Sequence, residues 1–413
     1  MRPVAVMAAL CALLASTGCI RPSPPIDPAS APAEAASALR AVLQRTPPAR
    51  HAAAPSPPLA TVDGPVTVSV WYPDHPLMRR LASAPVRHAF AEAHPGITLD
   101  AQGIGDWMYA VQKLTVHLAG GGLPDIAVVR RDLLAQLVPS GRILALDTLL
   151  PPALVADLED PVFAAFSAGP QLVALPADAF HSVLYTAEGE SLAHLDDLLA
   201  SGAESRAVIG HLPFLEVLWA EGGRVLDGES VVIDDEAAGR AFERMHALYA
   251  PGHGRAEPFA AFDETHGVSL YLSGRAPMTV ASSRGMARLL EQRPETRIQP
   301  IPGVSGGVSR WGEYAIVVFE GAEAKGEAIA AVLDFLTGPA VQGAEALAMG
   351  SPPVRRSVRD DLGAPHPLLD TWRSVRAAPL VAAWGEAEQV LATIVERTMR
   401  FRGPRLAVAS GSG

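Results

Sequence analysis

The chain of 413 residues holds only two cysteines, Cys11 and Cys19. Both lie near the start, so everything beyond them has no internal disulfide and no thiolate metal site. Stability must come from packing, and a hydrophobic fraction of 49% is ample for that. Basic residues are in deficit: 33 Lys and Arg stand against 44 Asp and Glu, for a net charge of −11. That excludes nucleic acid as the main partner, because phosphate binding needs a basic surface. The twelve histidines show no H-E-x-x-H spacing. "AGGGLPD" lacks the lysine and Ser/Thr of a phosphate loop. Internal repeats are absent too. The apolar run at the N-terminus, Val4 to Ala15, is too short to cross a bilayer as a stable helix.

That run has its own meaning. Arg2 precedes it and the small residues of "LLASTGC" follow it, the layout of an export signal; a buried N-terminal helix is the competing reading. The segment resembles the lipobox of bacterial lipoprotein signal peptides. The resemblance implies that residues 1–19 form a lipoprotein signal peptide cut before Cys19, that Cys19 is lipidated as the first mature residue, and that the protein is anchored to a membrane facing the periplasm or cell exterior. Ser16 stands where leucine is usual, which leaves ordinary signal-peptidase cleavage as the alternative. Residues 20–64 are rich in Pro, Ala and Ser and read as a disordered tether, spanning roughly 35–40 Å if flexible. "AEAASALRAVLQR" within it reads as a short transient helix.

From Val66 onward strands and helices alternate. "VTVSVW", "ITLDA" and "PDIAVV" read as strands, and "PVRHAFAEAHPG", "YAVQKLTVHLAGG" and "DLLAQLVPSG" as helices. This βαβαβ rhythm predicts a parallel sheet with crossover helices. Ligands of such sheets bind beyond the carboxyl ends of the strands. The first strand ends in "WYPDH", which puts Trp71, Tyr72 and Asp74 at that edge. The bland alternative makes Trp71 core and Asp74 the start of a helix.

The run from "VTVSVWYPDHP" through "FAEAHPGITLDA" and "LAGGGLPDIAVV" to "SGRILALD" resembles the extracellular solute-binding proteins of ABC importers, in the maltose-binding-like branch. "QLVALPADAFHSVLY", "LWAEGGRVLD", "YLSGRAPMTVASSRGM" and "AMGSPPVRRSV" continue it, so that it covers residues 66–402. "HLDDLL" and "SSRG" depart from the family's usual residues. The resemblance implies an α/β, two-lobe periplasmic-binding-protein fold of type II, each lobe a mixed sheet flanked by helices. Lobe 1 is expected over 65–176 and 280–335 and lobe 2 over 178–278 and 338–402, with a flexible tail over 403–413. Hinges are expected near Pro176, Pro277 and Leu336. The implied function is capture of a small solute, most simply a sugar or oligosaccharide, and its delivery to ABC permease subunits by a monomer that needs no cofactor and no metal. A ligand-sensing role on the same fold is the alternative.

A sugar site needs flat aromatic faces and a few fixed carboxylates or amides. The candidates are Trp71, Tyr72 and Asp74 on the first loop, Trp107 and Tyr109 near the second, Asp178 at the first crossover, Trp311 and Glu313 after a glycine loop, and Trp384. Trp384 resembles the late-helix tryptophan that stacks on sugar in maltose-binding relatives. Arg284 would add an anion-binding guanidinium if it faces the crevice, and is otherwise a surface group. Trp219 reads as core. Enzyme readings are weak. "GVSGG" matches a nucleophile pattern at Ser305, yet a strand rather than a helix is expected after it. His246, His253, Glu264 and His266 could assemble a metal site only if loops brought them together.

Overall fold

The computed structural model describes residues 23–45, 64–80, 83–187, 192, 212–228, 230–249, 264–304, 306–311, 314–363 and 366–401. Cys11, Cys19, His253, Ser305, Glu313 and the tail expected over 403–413 lie outside the described residues.

The first sheet has five strands: β1 (Val66–Tyr72), β2 (Ile97–Gly103), β3 (Ile126–Arg130), β4 (Leu175–Pro176) and β10 (Tyr314–Val318). Their order is β2-β1-β3-β10-β4. β1 runs parallel to both β2 and β3, and β10 is antiparallel to β3 and β4. The parallel part is the one the βαβαβ pattern predicts. Its crossovers are helices α2 (Ala84–Ala93) and α3 (Trp107–Gly120). Helix α2 buries Val86 and Phe90, one turn apart, and stops at His94 because Pro95 cannot continue it. Helix α3 starts at Asp106, whose carboxylate accepts the Tyr109 N–H at 2.9 Å. Helices α4 (Arg131–Leu137) and α7 (Gly326–Thr337) complete this half. Val70, Val128, Phe90, Leu114, Ile316 and Leu333 meet in its core.

The second sheet is smaller and wholly antiparallel, with β5 (Ser182–Thr186) between β6 (Met278–Ser282) and β7 (Arg297–Gln299). Alternate residues of β5 serve two cores, as strand geometry requires. Leu184 packs with Val280, helix α5 (Phe214–Ala220) and helix α6 (Glu236–Tyr249). Val183 and Tyr185 pack with Tyr271 and Leu289 on the other face. A third sheet joins β8 (Ile301–Gly303) to β9 (Gly306–Arg310) and β9 to β11 (Val375–Arg376). Gly303 of β8 pairs with Gly306 of β9, so a strand and not a helix follows the "GVSGG" pattern, unlike the strand-to-helix elbow that a hydrolase serine needs.

The chain passes between the first sheet and the others at three places: from β4 to β5, from β9 to β10, and from β10 to β11, which pairs with β9. It leaves β4 at Pro176 and enters β5 at Ser182, and it returns between Arg310 and Tyr314. The boundary expected at residue 280 is therefore displaced. Residues 278–282 and 297–299 pair with β5, so the return comes about thirty residues later. Pro277 belongs to the second half, where its carbonyl accepts the Ala187 N–H at 3.1 Å. At the first crossing Ser283 Oγ donates to the Gly350 carbonyl at 2.6 Å, and the Ala179 N–H donates to Ser351 Oγ at 2.8 Å. Gly350 has φ +94°, and a Cβ there would lie 1.9 Å from the Ser283 carbonyl oxygen. Only glycine allows that approach.

Residues 23–45 correct the tether expectation. Helix α1 (Ala31–Arg45) is an ordered part of the second half, lying along helix α8 (Trp384–Met399). Ala35, Ala36, Leu39 and Val42 form its buried stripe at helical spacing. Glu34 pairs with Arg397 at 2.6 Å and Arg40 with Asp234 at 2.6 Å. The Ile26 N–H donates to the Arg397 carbonyl at 3.2 Å. An alanine-rich segment looks too weakly apolar to order itself, and it does not do so alone: α8 supplies the missing surface.

Leu39 tests this docking. Leu39→Ala should destabilise the protein by about 2–4 kcal/mol in denaturant unfolding, whereas an undocked helix would give no change. His181 tests the crossing. Its ring is buried, with Nδ1 2.9 Å from the Ala179 carbonyl and Nε2 2.7 Å from Thr371 Oγ1. Burial pulls its pKa down to about 4, against the help of the Ala179 carbonyl. The unfolded chain takes up this proton below pH about 6.5 and the folded chain only near 4. Stability should therefore rise with pH between those values and level off above them. His181→Gln should make that slope shallower in unfolding titrations; an unchanged slope would place the proton elsewhere.

Candidate functional site

A cavity of about 780 Å³ opens between the halves. Arg130, Arg131 and Asp132 reach it from the first half, where the buried apolar run of β3 ends and α4 begins. This is the carboxyl end of a parallel strand, the expected place. Phe180, His181 and Ser182 line it from the crossing. The second half supplies Phe214 and Glu216 from the first turn of α5, Ser282 at the end of β6 and Arg284 just beyond it, and Trp384 and Glu388 from the first turns of α8.

Trp311 closes the cavity where the chain returns to the first sheet. Its indole N–H donates to the Asp178 carbonyl at 3.3 Å, and its amide donates to the Arg376 carbonyl at 2.8 Å. Its ring meets Phe166 edge-on at 5.3 Å and Trp372 at 4.4 Å. Its orientation is thus fixed from several sides. Trp384 is buried at the start of α8, and its indole nitrogen has no hydrogen-bond partner among the described residues. A buried donor without an acceptor costs free energy, which a ligand hydroxyl could recover.

The charged side chains divide into pairs and exceptions. Arg130 pairs with Asp132 at 3.3 Å, and Arg310 with Glu388 at 2.6 Å. Glu216 is buried, and its Oε2 has no partner among the described residues. Burial pushes its carboxyl above the usual range, opposed by the charge of Arg310 and the hydroxyl of Ser182. Arg131 donates through Nη2 to the Ala165 carbonyl at 2.8 Å and through Nη1 to the Ala378 carbonyl. Arg284 stacks over Phe180, its Cζ 4.8 Å from the ring centre, and its Nη2 lies 3.4 Å from His75 Nε2.

Three of the residues expected from the sequence meet at the cavity: Arg284, Trp311 and Trp384. Asp178 lies one layer behind them, fully buried, with Oδ2 3.2 Å from His75 Nε2. Trp107 also stands back, with Arg130 stacked 5.1 Å above its ring. The others go elsewhere. Trp71 packs edge-on against His117 at 5.0 Å with Lys113 Nζ 4.0 Å above it, residues one turn apart on α3. Because β1 is flanked by strands on both edges and helices cover the sheet, Trp71 and Tyr72 become core. Asp74 is exposed and pairs with Arg79 at 2.6 Å, and Tyr109 is 57% exposed. Trp219 is buried in the core of the second half, as its helix suggested. His246, weighed as a metal ligand, has Nδ1 3.0 Å from the Thr398 carbonyl.

Sequence reasoning missed Arg130, Arg131, Phe180, Glu216, Arg310 and Glu388. The adjacent arginines could have been found, since they end a parallel strand at its ligand-binding edge. Glu216 carries no such signal: on a short helix it reads as a solvated position.

The description "bacterial extracellular solute-binding protein" matches residues 75–343. A comparison with curated proteins gives no match. Solved structures share the fold at low identity. The sugar-binding protein MalE of Xanthomonas citri is 18% identical, with a TM-score of 0.67 over 81% of this chain and 92% of that one. The cyclic α-maltosyl-1,6-maltose binding protein of Arthrobacter globiformis is 16% identical, with a TM-score of 0.65 over 81% and 96%. An ABC transporter solute-binding protein of Thermotoga lettingae, bound with α-D-tagatose, is 17% identical, with a TM-score of 0.62 over 81% and 94%. Those neighbours have the two-lobe type II binding-protein fold, which this chain adopts. The chain belongs to the bacterial extracellular solute-binding proteins, a family whose members bind their solutes and are not enzymes.

Proposed function

We propose that this protein captures a sugar or oligosaccharide between its lobes and passes it, chemically unchanged, to the permease of an ABC importer. The observation that carries the reading is the cavity of about 780 Å³ walled from both halves, with Trp311 on one side and Trp384 on the other. Its size falls within the range of about 300–1,000 Å³ common for small-molecule sites. Indole faces match the C–H face of a pyranose, and fixed polar groups match its hydroxyls. The names of the Xanthomonas citri, Arthrobacter globiformis and Thermotoga lettingae neighbours, which refer to sugar, a cyclic maltosyl-maltose and tagatose, point the same way.

In this reading one lobe is built on the five-stranded sheet and the other on the β6-β5-β7 sheet. The passages that leave β4 after Pro176 and the third sheet after Trp311 act as hinges. Only the closed form lets both lobes touch the solute, so binding shifts the population toward closure. Lipidation at Cys19 would hold a monomer at the membrane beside its permease. Among the described residues no helix is long and apolar enough to cross a membrane.

A thermal-shift screen over neutral and acidic sugars should give a concentration-dependent rise in Tm for at least one of them. Trp384→Phe and Trp311→Phe preserve most of the packing and should each weaken that ligand. Removing a stacked tryptophan should cost about 2 kcal/mol, roughly thirtyfold in Kd. Scattering should show compaction on binding. A flat response to every sugar would defeat the reading.

A further inference from the structure

We propose that the solute is an acidic saccharide, whose acid group is met by the cationic lining that Arg131 and Arg284 contribute to the cavity. This rests on the sugar-capture reading above and narrows its ligand class.

Each charge at the cavity can be followed to its partner. Arg130 is balanced by Asp132, and Arg310 by Glu388. Glu216 is held toward its neutral form by burial. Two cations remain. Arg131 spends its hydrogen bonds on the Ala165 and Ala378 carbonyls, and no carboxylate pairs with it among the described residues. Arg284 touches an aromatic face and the His75 imidazole, whose Nε2 also lies 3.2 Å from the buried Asp178 carboxylate; no carboxylate pairs with Arg284 directly among the described residues. The lining therefore carries two cationic groups with no directly paired carboxylate among the described residues, from opposite halves of the molecule.

Two further facts make this more than local chance. The protein as a whole is strongly acidic, at −11, so a cationic cavity runs against its own composition. Carboxylates are plentiful elsewhere: Arg355 and Arg359 each pair with two of them. Arg131 also feels Arg310. That charge and burial together bring its pKa down to about 10, so it stays protonated at neutral pH under repulsion from its neighbour. An anion placed there relieves the repulsion. A guanidinium fork meets a carboxylate, sulfate or phosphate in two parallel hydrogen bonds. Trp384 and Trp311 would hold the ring, and the buried Glu216, whose Oε2 has no partner among the described residues, would hydrogen-bond a sugar hydroxyl. Since the two arginines come from opposite halves, the acid group would also draw the halves together.

Calorimetry on the full exported protein, at low and at physiological salt, should compare neutral di- and trisaccharides with their uronate counterparts, with sulfate and phosphate esters, and with inorganic sulfate and phosphate. The acidic member of a pair should bind at least tenfold more tightly, with a preference that shrinks as salt rises. The series identifies whether carboxylate, sulfate or phosphate is the acid group. Arg284→Gln should reduce the ratio of acidic to neutral affinity about tenfold, and Arg284→Lys should restore part of it. Neutral sugars that bind as well as acidic ones would overturn this inference while leaving sugar capture standing. No binding by any saccharide would remove both. Inorganic sulfate or phosphate binding as tightly as the sugar acids would overturn the saccharide part.

Discussion

Asp178 is fully buried between the two sheets, and its neighbours include groups from both. Its carboxylate lies beside His75 from the first half, and its carbonyl takes the Trp311 indole N–H. Three residues on, the His181 carbonyl accepts the Ser283 N–H, and Ser283 Oγ reaches Gly350 from a third segment. A buried polar stretch is tolerable only if its donors and acceptors find partners. Here those partners come from distant parts of the chain. The crossing from β4 to β5 therefore sets where the cavity is, which tryptophan closes it, and how Arg284 is aimed across it.

The two halves are built to different plans around that crossing. The first is a mostly parallel sheet, whose ligand-facing edge is the carboxyl end of β3. The second is antiparallel, and the long helix α8 brings Trp384 and Glu388 to the opposite wall. Helix α1 braces α8 from behind. A segment that precedes both lobes in sequence thus packs on the very helix that carries a cavity tryptophan. A pull on the N-terminus would be felt first by the second half.

Much of the first half was legible in the sequence. "VTVSVW", "ITLDA" and "PDIAVV" alternate with helical spacing, and proline and glycine mark their ends; these are local signals that survive folding. The site was only partly legible. Trp311, Trp384 and Arg284 reach the cavity, while Trp71 and Tyr72 do not, although all five are equally conspicuous as letters. Whether an aromatic at a strand end faces a cleft or a covering helix depends on which helix packs there. For Trp71 it is α3, through Lys113 and His117. Helix α1 shows the opposite failure: its alanines are too weakly apolar to announce a core, yet α8 makes them one.

By itself the sequence determined the class of the molecule. An acidic chain with no cysteine beyond Cys19 and with alternating strand and helix signals folds by packing into α/β layers, because no disulfide can brace that part of it. Only the tertiary structure decided where the chain returns to the first sheet, which charges lose their partners, and that Glu216 is buried. Those outcomes depend on residues far apart in the chain meeting in space. A carboxylate or guanidinium takes its character from such neighbours and from the water it loses, neither of which is written in the letters beside it.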